Sequence, residues 1–368
     1  MEPIRILQVV TAMNRGGLET MLMNYYRKLD KGLYQFDFLV HRQERGDYDD
    51  EIEELGGKIY RLSSIRPGHY KKYFKELDDF FSKHQEYRVV HAHINENSGF
   101  ALRAAKKYGV PCRIAHSHLA DLKLDYKYPF RWYGRRYLKP NANYYYACSD
   151  QAGQWLFGGM VEKSQIKVLP NAVDLDDFKM NPLIREETRR NLNLTDEFVI
   201  GHVGRFNPQK NHDFLIEVFN EIQKRCDKAV LLLVGEGYLE DKIKEKVKEM
   251  GLENKVRFLG LRKDIKSLMQ AMDLFLFPSL FEGLPVVLVE AQASGLKCVT
   301  STGVTSEANL CGEVEFIDLN EGASQWAEKI LSLNYDKKDY TDILTQKGYS
   351  SNQSSAELLK FYLEFYKG

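Results

Sequence analysis

The sequence predicts a two-domain α/β protein, each domain a parallel sheet wound by crossover helices. At 368 residues the chain is too long for one ordinary core and about right for two. Short apolar runs alternate with longer stretches of helical periodicity through both halves, the pattern of repeated βαβ units. The rhythm breaks once, in a polar, charged stretch that follows Pro170-Asn171-Ala172-Val173-Asp174 and ends near Glu197.

Taken in order, Ile4 to Val10 reads as the first strand, and Gly16-Gly17 opens a helix from Leu18 to Leu29 whose Met, Leu and Tyr residues recur at helical spacing. Further strands are expected at Phe36 to Val40, Val89 to His93, Arg113 to His116, Tyr144 to Cys148 and Lys167 to Leu169. The second domain starts at Phe198 to Val203 and continues through Ala229 to Val234, Val256 to Leu259, Leu274 to Phe277 and Cys298 to Thr300. There is no short-period repeat and no low-complexity tract. Near the end, Leu358, Leu359, Tyr362, Phe365 and Tyr366 make one apolar helical face, with Phe361 at its margin, that needs a surface to cover.

Hydrophobic residues make up 43% and charged residues 28%, a soluble globular composition. Net charge is zero, yet residues 1–172 carry 27 Lys and Arg against 20 Asp and Glu, and the rest 25 against 32. A basic front half suits a nucleic acid, an anionic membrane surface or a phosphorylated ligand. The acidic back half argues against nucleic acid, which would need a basic groove across both halves. Five scattered cysteines without C-x-x-C spacing suggest neither a disulfide framework nor a zinc site and fit a reducing cytosol. Met1-Glu2-Pro3 runs into the first strand without signal-peptide character, and no apolar run reaches membrane-span length. A cytoplasmic protein is expected.

The densest chemistry lies between Phe277 and Ala291. A strand ends at Pro278-Ser279, and Phe281-Glu282-Gly283-Leu284-Pro285 turns into a helix, with proline suited to its first turn. Backbone N–H groups around Gly283 and Leu284 at a positive helix terminus would receive a pyrophosphate. Acidic Glu282 and Glu290 belong beside such a site if they face sugar and ribose hydroxyls. Arg205 and Lys210, just past a strand end, can meet a diphosphate that gains charge as a glycosidic bond breaks.

Phe281 to Pro285, with the E-x7-E spacing from Glu282 to Glu290, resembles the retaining glycosyltransferases of family 4. Gly204 to Asn211 resembles the family's G-R-x-x-x-x-K segment, Asn14 to Glu19 its glycine loop, and Pro170 to Asp174 its linker. The resemblance spans nearly the whole chain, and Leu7 through Asp50 looks most like bacterial members that build exopolysaccharide or capsule. It implies the GT-B fold: two Rossmann-like βαβ domains facing each other across a cleft. The N-terminal acceptor-side domain would be 1–172 and the nucleotide-sugar domain 173–351, with the helix at 352–368 packing back on the first. It also implies retention at the anomeric carbon and a nucleotide diphosphate donor, UDP by family frequency. The acceptor would be lipid-linked or a glycan.

In that reading Glu282 binds donor-sugar hydroxyls, Glu290 the ribose, and Arg205 and Lys210 the diphosphate. Gly16, Gly17, Gly283 and Leu284 line the donor, Arg262 stands near the base, and His116 contacts the reacting sugar or acceptor, with His118 as a second candidate. No cofactor is expected. The two D-x-D strings, Asp47-Tyr48-Asp49 in an acidic, exposed stretch and Asp174-Leu175-Asp176 in the linker, are not read as metal sites. His91 and His93 alternate at a strand end with no third ligand in sequence and read as structural. Lys123 to Lys139 mixes cations with aromatics, and Lys127, Arg131, Trp132, Arg135 and Arg136 are expected to meet the acceptor or an anionic inner membrane face. A nucleotide-sugar epimerase of the same architecture and a non-catalytic sugar-nucleotide binder are the alternatives. The epimerase would need an acid and a base beside C2, and the binder would not need the charged set retained here.

Overall fold

The computed structural model describes residues 2–118 and 128–366. The chain divides into two compact units, Met1–Ala172 with Ser350–Gly368, and Val173–Tyr349.

The first unit is a seven-stranded, all-parallel sheet. Its strands are β1 (Ile4–Val10), β2 (Tyr34–Val40), β3 (Ile59–Arg61), β4 (Val89–Ala92), β5 (Cys112–Ser117), β6 (Tyr144–Ala147) and β7 (Ile166–Val168). They lie in the order β3-β2-β1-β4-β5-β6-β7, so the winding direction reverses between β1 and β4. Side chains alternate strictly between the faces. Leu7 and Val9 enter a core beneath the helices Tyr70–Lys83, Ser98–Lys107 and Asp150–Phe157, whereas Ile6 and Val10 enter the opposite core. That second core is closed by the helix Gly17–Lys28 and by the C-terminal helix Ser351–Leu363, which contributes Leu358 and Tyr362. The C-terminal helix begins at Ser351, one residue before the expected 352, and ends at Leu363, residues 364–366 forming a turn.

The second unit is a six-stranded parallel sheet of β8 (Phe198–Val203), β9 (Ala229–Val234), β10 (Val256–Phe258), β11 (Leu274–Phe277), β12 (Lys297–Ser301) and β13 (Val314–Ile317). Its order, β10-β9-β8-β11-β12-β13, reverses between β8 and β11. Ile200, Leu274 and Leu276 face the core under His212–Gln223 and Gly322–Ser332; Val199, Phe275 and Phe277 face the other. The helix Val286–Ala293 is apolar nearly all round because it is covered on both sides, by Leu288 and Ala291 in one cluster and Val286, Val289 and Ala293 in another.

Most expected strands fall within two residues of those formed. β3 and β13 escape a reading of apolar runs, because each is three or four residues long, lies at a sheet edge and is only half covered.

Candidate functional site

In the second unit the loops after β8 and β11 meet at the reversal point, where open α/β sheets bind their ligands. Asn207 accepts from the Lys210 amide at 3.1 Å, closing a single turn of 3-10 helix, and Asn211 follows in the left-handed region at φ +56°. The loop is tied to its neighbour by Leu280 N–H to the Gln209 carbonyl (2.8 Å), by the Gln209 amide to the Phe281 carbonyl (3.0 Å) and by the Asn211 amide to the Pro278 carbonyl (3.2 Å). Lys210 Nζ is thereby delivered 2.6 Å from Glu282 Oε1, with side chains 16% and 13% exposed, and 4.5 Å from the centre of the Phe277 ring. Two residues 72 positions apart form one charged pair.

Glu282 is itself fixed in the backbone, donating to the Gly303 carbonyl at 3.1 Å and pairing with Val304 as an isolated bridge. Gly283 is exposed, and a side chain added there would meet nothing within 4 Å; Leu284 turns into the core. Pro285 stands at the helix N-cap rather than inside its first turn, so the helical N–H groups begin with Val286. One turn on, the Glu290 carbonyl accepts from Ser294 Oγ at 3.0 Å, while its carboxyl has no hydrogen-bond partner among the described residues and is pushed up to about 7 by burial.

Three loops floor this region. Gly204 N–H bonds the Val234 carbonyl (2.9 Å), Phe206 N–H the Glu236 carbonyl (3.1 Å) and Gly235 N–H the Gly260 carbonyl (2.9 Å). Gly235 has φ +135° and lies against the Gly204 carbonyl, a conformation and an approach that only glycine tolerates. Arg205 is exposed on this floor. Arg262 turns its guanidinium onto Asp264 in a two-pronged pair of 2.7 and 2.6 Å, so it reaches a base only by leaving that partner.

In the first unit Gly16 caps the helix Gly17–Lys28, and the Glu19 carboxylate folds back against it. An anion would have to displace that carboxylate. The histidines are gathered more tightly than their spacing suggests. Parallel pairing sets Gln8 beside His91, and His91 beside Ile114, so the alternate residues Gln8, His91, His93, His116 and His118 share one face of the sheet. His91 Nδ1 lies 2.6 Å from the Tyr362 hydroxyl and His91 Nε2 3.1 Å from His116 Nδ1; His93 lies 2.9 Å from Gln8 Oε1 and 3.0 Å from His118 Nε2. Burial holds His91, His93 and His116 well below the usual histidine range and His118 at about 3, which makes all four neutral.

His91 and His93 are thus not without a third ligand, since β5 brings His116 to them, with ligand atoms of the three within 4.8 Å of one another. Sequence spacing misses this because the third residue comes from a neighbouring strand. The rings of His91 and His116 are 13° from parallel, and one edge of each is taken up by the hydrogen bond between them.

The first D-x-D string is not an exposed acidic patch: Asp49 is buried and paired with Arg61 and the Gly46 amide, and Asp47 accepts from Arg15 N–H at 2.9 Å. Asp174 precedes the short helix Leu175–Phe178. Lys127 lies outside the described residues. Arg135 belongs to the fold, donating to the carbonyls of Leu156 and Gly158 at 3.0 Å each and so finishing the helix Asp150–Phe157. Arg131 stands 3.8 Å from Glu96, Tyr133 and Tyr137 pack on the core, and Arg136 stacks 3.9 Å over the ring of exposed Trp132.

Two Rossmann-like parallel units of this kind are the architecture of the GT-B glycosyltransferases. Residues 15–177 match the family model described as Glycosyltransferase Family 4, and residues 184–349 that described as Glycosyl transferases group 1. The chain is 38% identical to the putative glycosyltransferase EpsF of Bacillus subtilis, over 97% of this chain and 96% of that one. It is 28% identical to the Escherichia coli UDP-Gal:alpha-D-GlcNAc-diphosphoundecaprenol alpha-1,3-galactosyltransferase, over 73% and 72%. Among solved structures, Anabaena Alr3699/HepE in complex with UDP and glucose superposes with a TM-score of 0.76 at 20% identity, covering 97% of this chain and 99% of that one. The chain belongs to glycosyltransferase family 4.

Proposed function

We propose that this glycosyltransferase moves a sugar from a UDP-sugar to a lipid-linked or glycan acceptor in exopolysaccharide or capsule synthesis, with retention and without a metal. The Lys210–Glu282 pair at the sheet reversal carries the reading. A donor diphosphate draws the Lys210 ammonium to itself and leaves the Glu282 carboxylate for sugar hydroxyls. Arg205 and the first N–H groups of Val286–Ala293 add positive potential, and Glu290 accepts from ribose hydroxyls. As the anomeric C–O bond to the diphosphate breaks, the acceptor oxygen bonds the same face of that carbon and passes its proton to the departing phosphate oxygen. His116 donates a hydrogen bond to the reacting sugar or acceptor. The UDP-Gal donor of the galactosyltransferase relative and the UDP and glucose of the HepE complex support UDP; the relative's diphosphoundecaprenol acceptor supports a lipid-linked one.

The test is a thermal-shift panel of UDP, GDP, ADP and their sugars with EDTA present, since a ligand that binds only the native state raises its melting temperature. UDP or a UDP-sugar should give the largest shift. Because burial holds the Glu290 carboxyl near 7 and ribose hydroxyls favour its ionised form, the shift should grow from pH 6 to pH 8, and Glu290→Gln should flatten that dependence. No shift until Mg²⁺ or Mn²⁺ is added would overturn the metal-free reading.

Exposed Tyr128, Phe130 and Trp132, with Arg136, favour peripheral contact with anionic lipid. Wild type should co-sediment with anionic vesicles and be released by salt, and Trp132→Ala with Arg136→Ser should bind less. Equal partitioning would assign the segment to the fold alone.

A further inference from the structure

We propose that Tyr362 of the C-terminal helix is a positioning residue that acts through His91 to fix His116 as the tautomer protonated on Nε2. All three side chains are wholly buried. Among the described residues the Tyr362 hydroxyl meets His91 Nδ1 at 2.6 Å and also takes a hydrogen bond from the Gln8 side chain, whose Oε1 already faces His93 Nε2 at 2.9 Å. A hydroxyl that accepts from the Gln8 amide has its own proton free for His91 Nδ1, so the hydroxyl donates and His91 Nδ1 accepts. A neutral imidazole carries one proton, so His91 holds its own on Nε2. It donates that proton across 3.1 Å to His116 Nδ1. His116 must then keep its proton on Nε2, a buried atom with no protein partner. Burial and the neighbouring histidines disfavour the charged form, which keeps the chain neutral and its direction fixed.

The consequence is chemical. With Nε2 protonated, His116 carries a buried hydrogen-bond donor, and neither a base nor a cation, near the end of β5. A neutral donor suits a sugar or acceptor hydroxyl oxygen, whereas a lone pair there would repel it. The tautomer follows from the hydrogen bonds alone; its value for transfer rests on the part given to His116 in the proposed function.

The experiment is two-bond ¹H–¹⁵N correlation of the imidazoles in labelled protein at pH 7, with His116 assigned by loss of its signals in His116→Ala. Wild type should show His91 and His116 as neutral Nε2–H forms. Tyr362→Phe should populate both tautomers at each, with turnover falling roughly tenfold, the scale at which an outer partner tunes the group it orients. The UDP-induced thermal shift should stay the same. Adding His91→Gln to Tyr362→Phe supplies an amide donor toward His116 and should restore its Nε2–H form. An Nδ1–H form of His116 in wild type, or no tautomer change in Tyr362→Phe, overturns the relay. Altered tautomers with unaltered turnover overturn the part given to His116 in transfer, while the nucleotide panel tests the donor reading independently.

Discussion

Lys210→Ala is expected to lower kcat by roughly 10²- to 10³-fold, the cost of removing one preorganised charge from a group that gains negative charge in the transition state. The Lys210 ammonium is held by two tied loops before any donor arrives, so little reorganisation is needed when it turns from Glu282 to the diphosphate. Glu282→Ala should cost as much by a different route, loss of the acceptor for donor-sugar hydroxyls. Since each residue is the other's partner in the free protein, the double variant should lose much less than the product of the two single losses. Both residues sit in loops past strand ends, so the variants should keep the fold, with melting temperatures within a few degrees of wild type. Steady-state kinetics with each nucleotide-sugar, beside circular dichroism, decides the matter. Near wild-type turnover in either well-folded variant removes that residue from the site.

Asp37→Ala should destabilise the first unit by about 3–5 kcal/mol, the cost of breaking a buried ion pair by removing one partner. Asp37 is fully buried in β2 and accepts from Arg5 Nε and Nη2 at 2.6 Å each, from the Lys58 amide at 2.7 Å and from the Tyr87 hydroxyl at 2.6 Å. Its loss leaves the Arg5 guanidinium, 16% exposed, without its counter-charge, and three elements without their common acceptor. That is a large share of the 5–15 kcal/mol that holds a typical domain. With two units, two unfolding transitions are expected. The expected signature is a shift of one urea transition to lower concentration while the other stays in place. A shift below about 1 kcal/mol would place the pair with ordinary surface ion pairs.

The alternation of apolar runs and helical stretches is enough to place the principal strands of both sheets, because a strand buried on both faces must be apolar throughout. The motif residues were equally legible. Gly283, Glu282 and Lys210 belong to short segments whose chemistry is local: a turn into a helix, and a cation past a strand end. Tertiary structure alone decided which distant residues touch. Nothing in the chain places Lys210 against Glu282, because that contact depends on β8 lying beside β11. Nor does it show that Tyr362, 271 residues from His91, completes a hydrogen-bonded chain with His91 and His116. Arg135 gives the same lesson in reverse. Its charge and aromatic neighbours suggested a surface for acceptor or lipid, yet its guanidinium is spent on the carbonyls that end another helix. Sequence fixes periodicity and local capping through contacts a few residues apart. Which strand lies beside which, and so which side chains share a face, is set by cooperative burial of whole sheets, and the contacts that couple these residues follow from it.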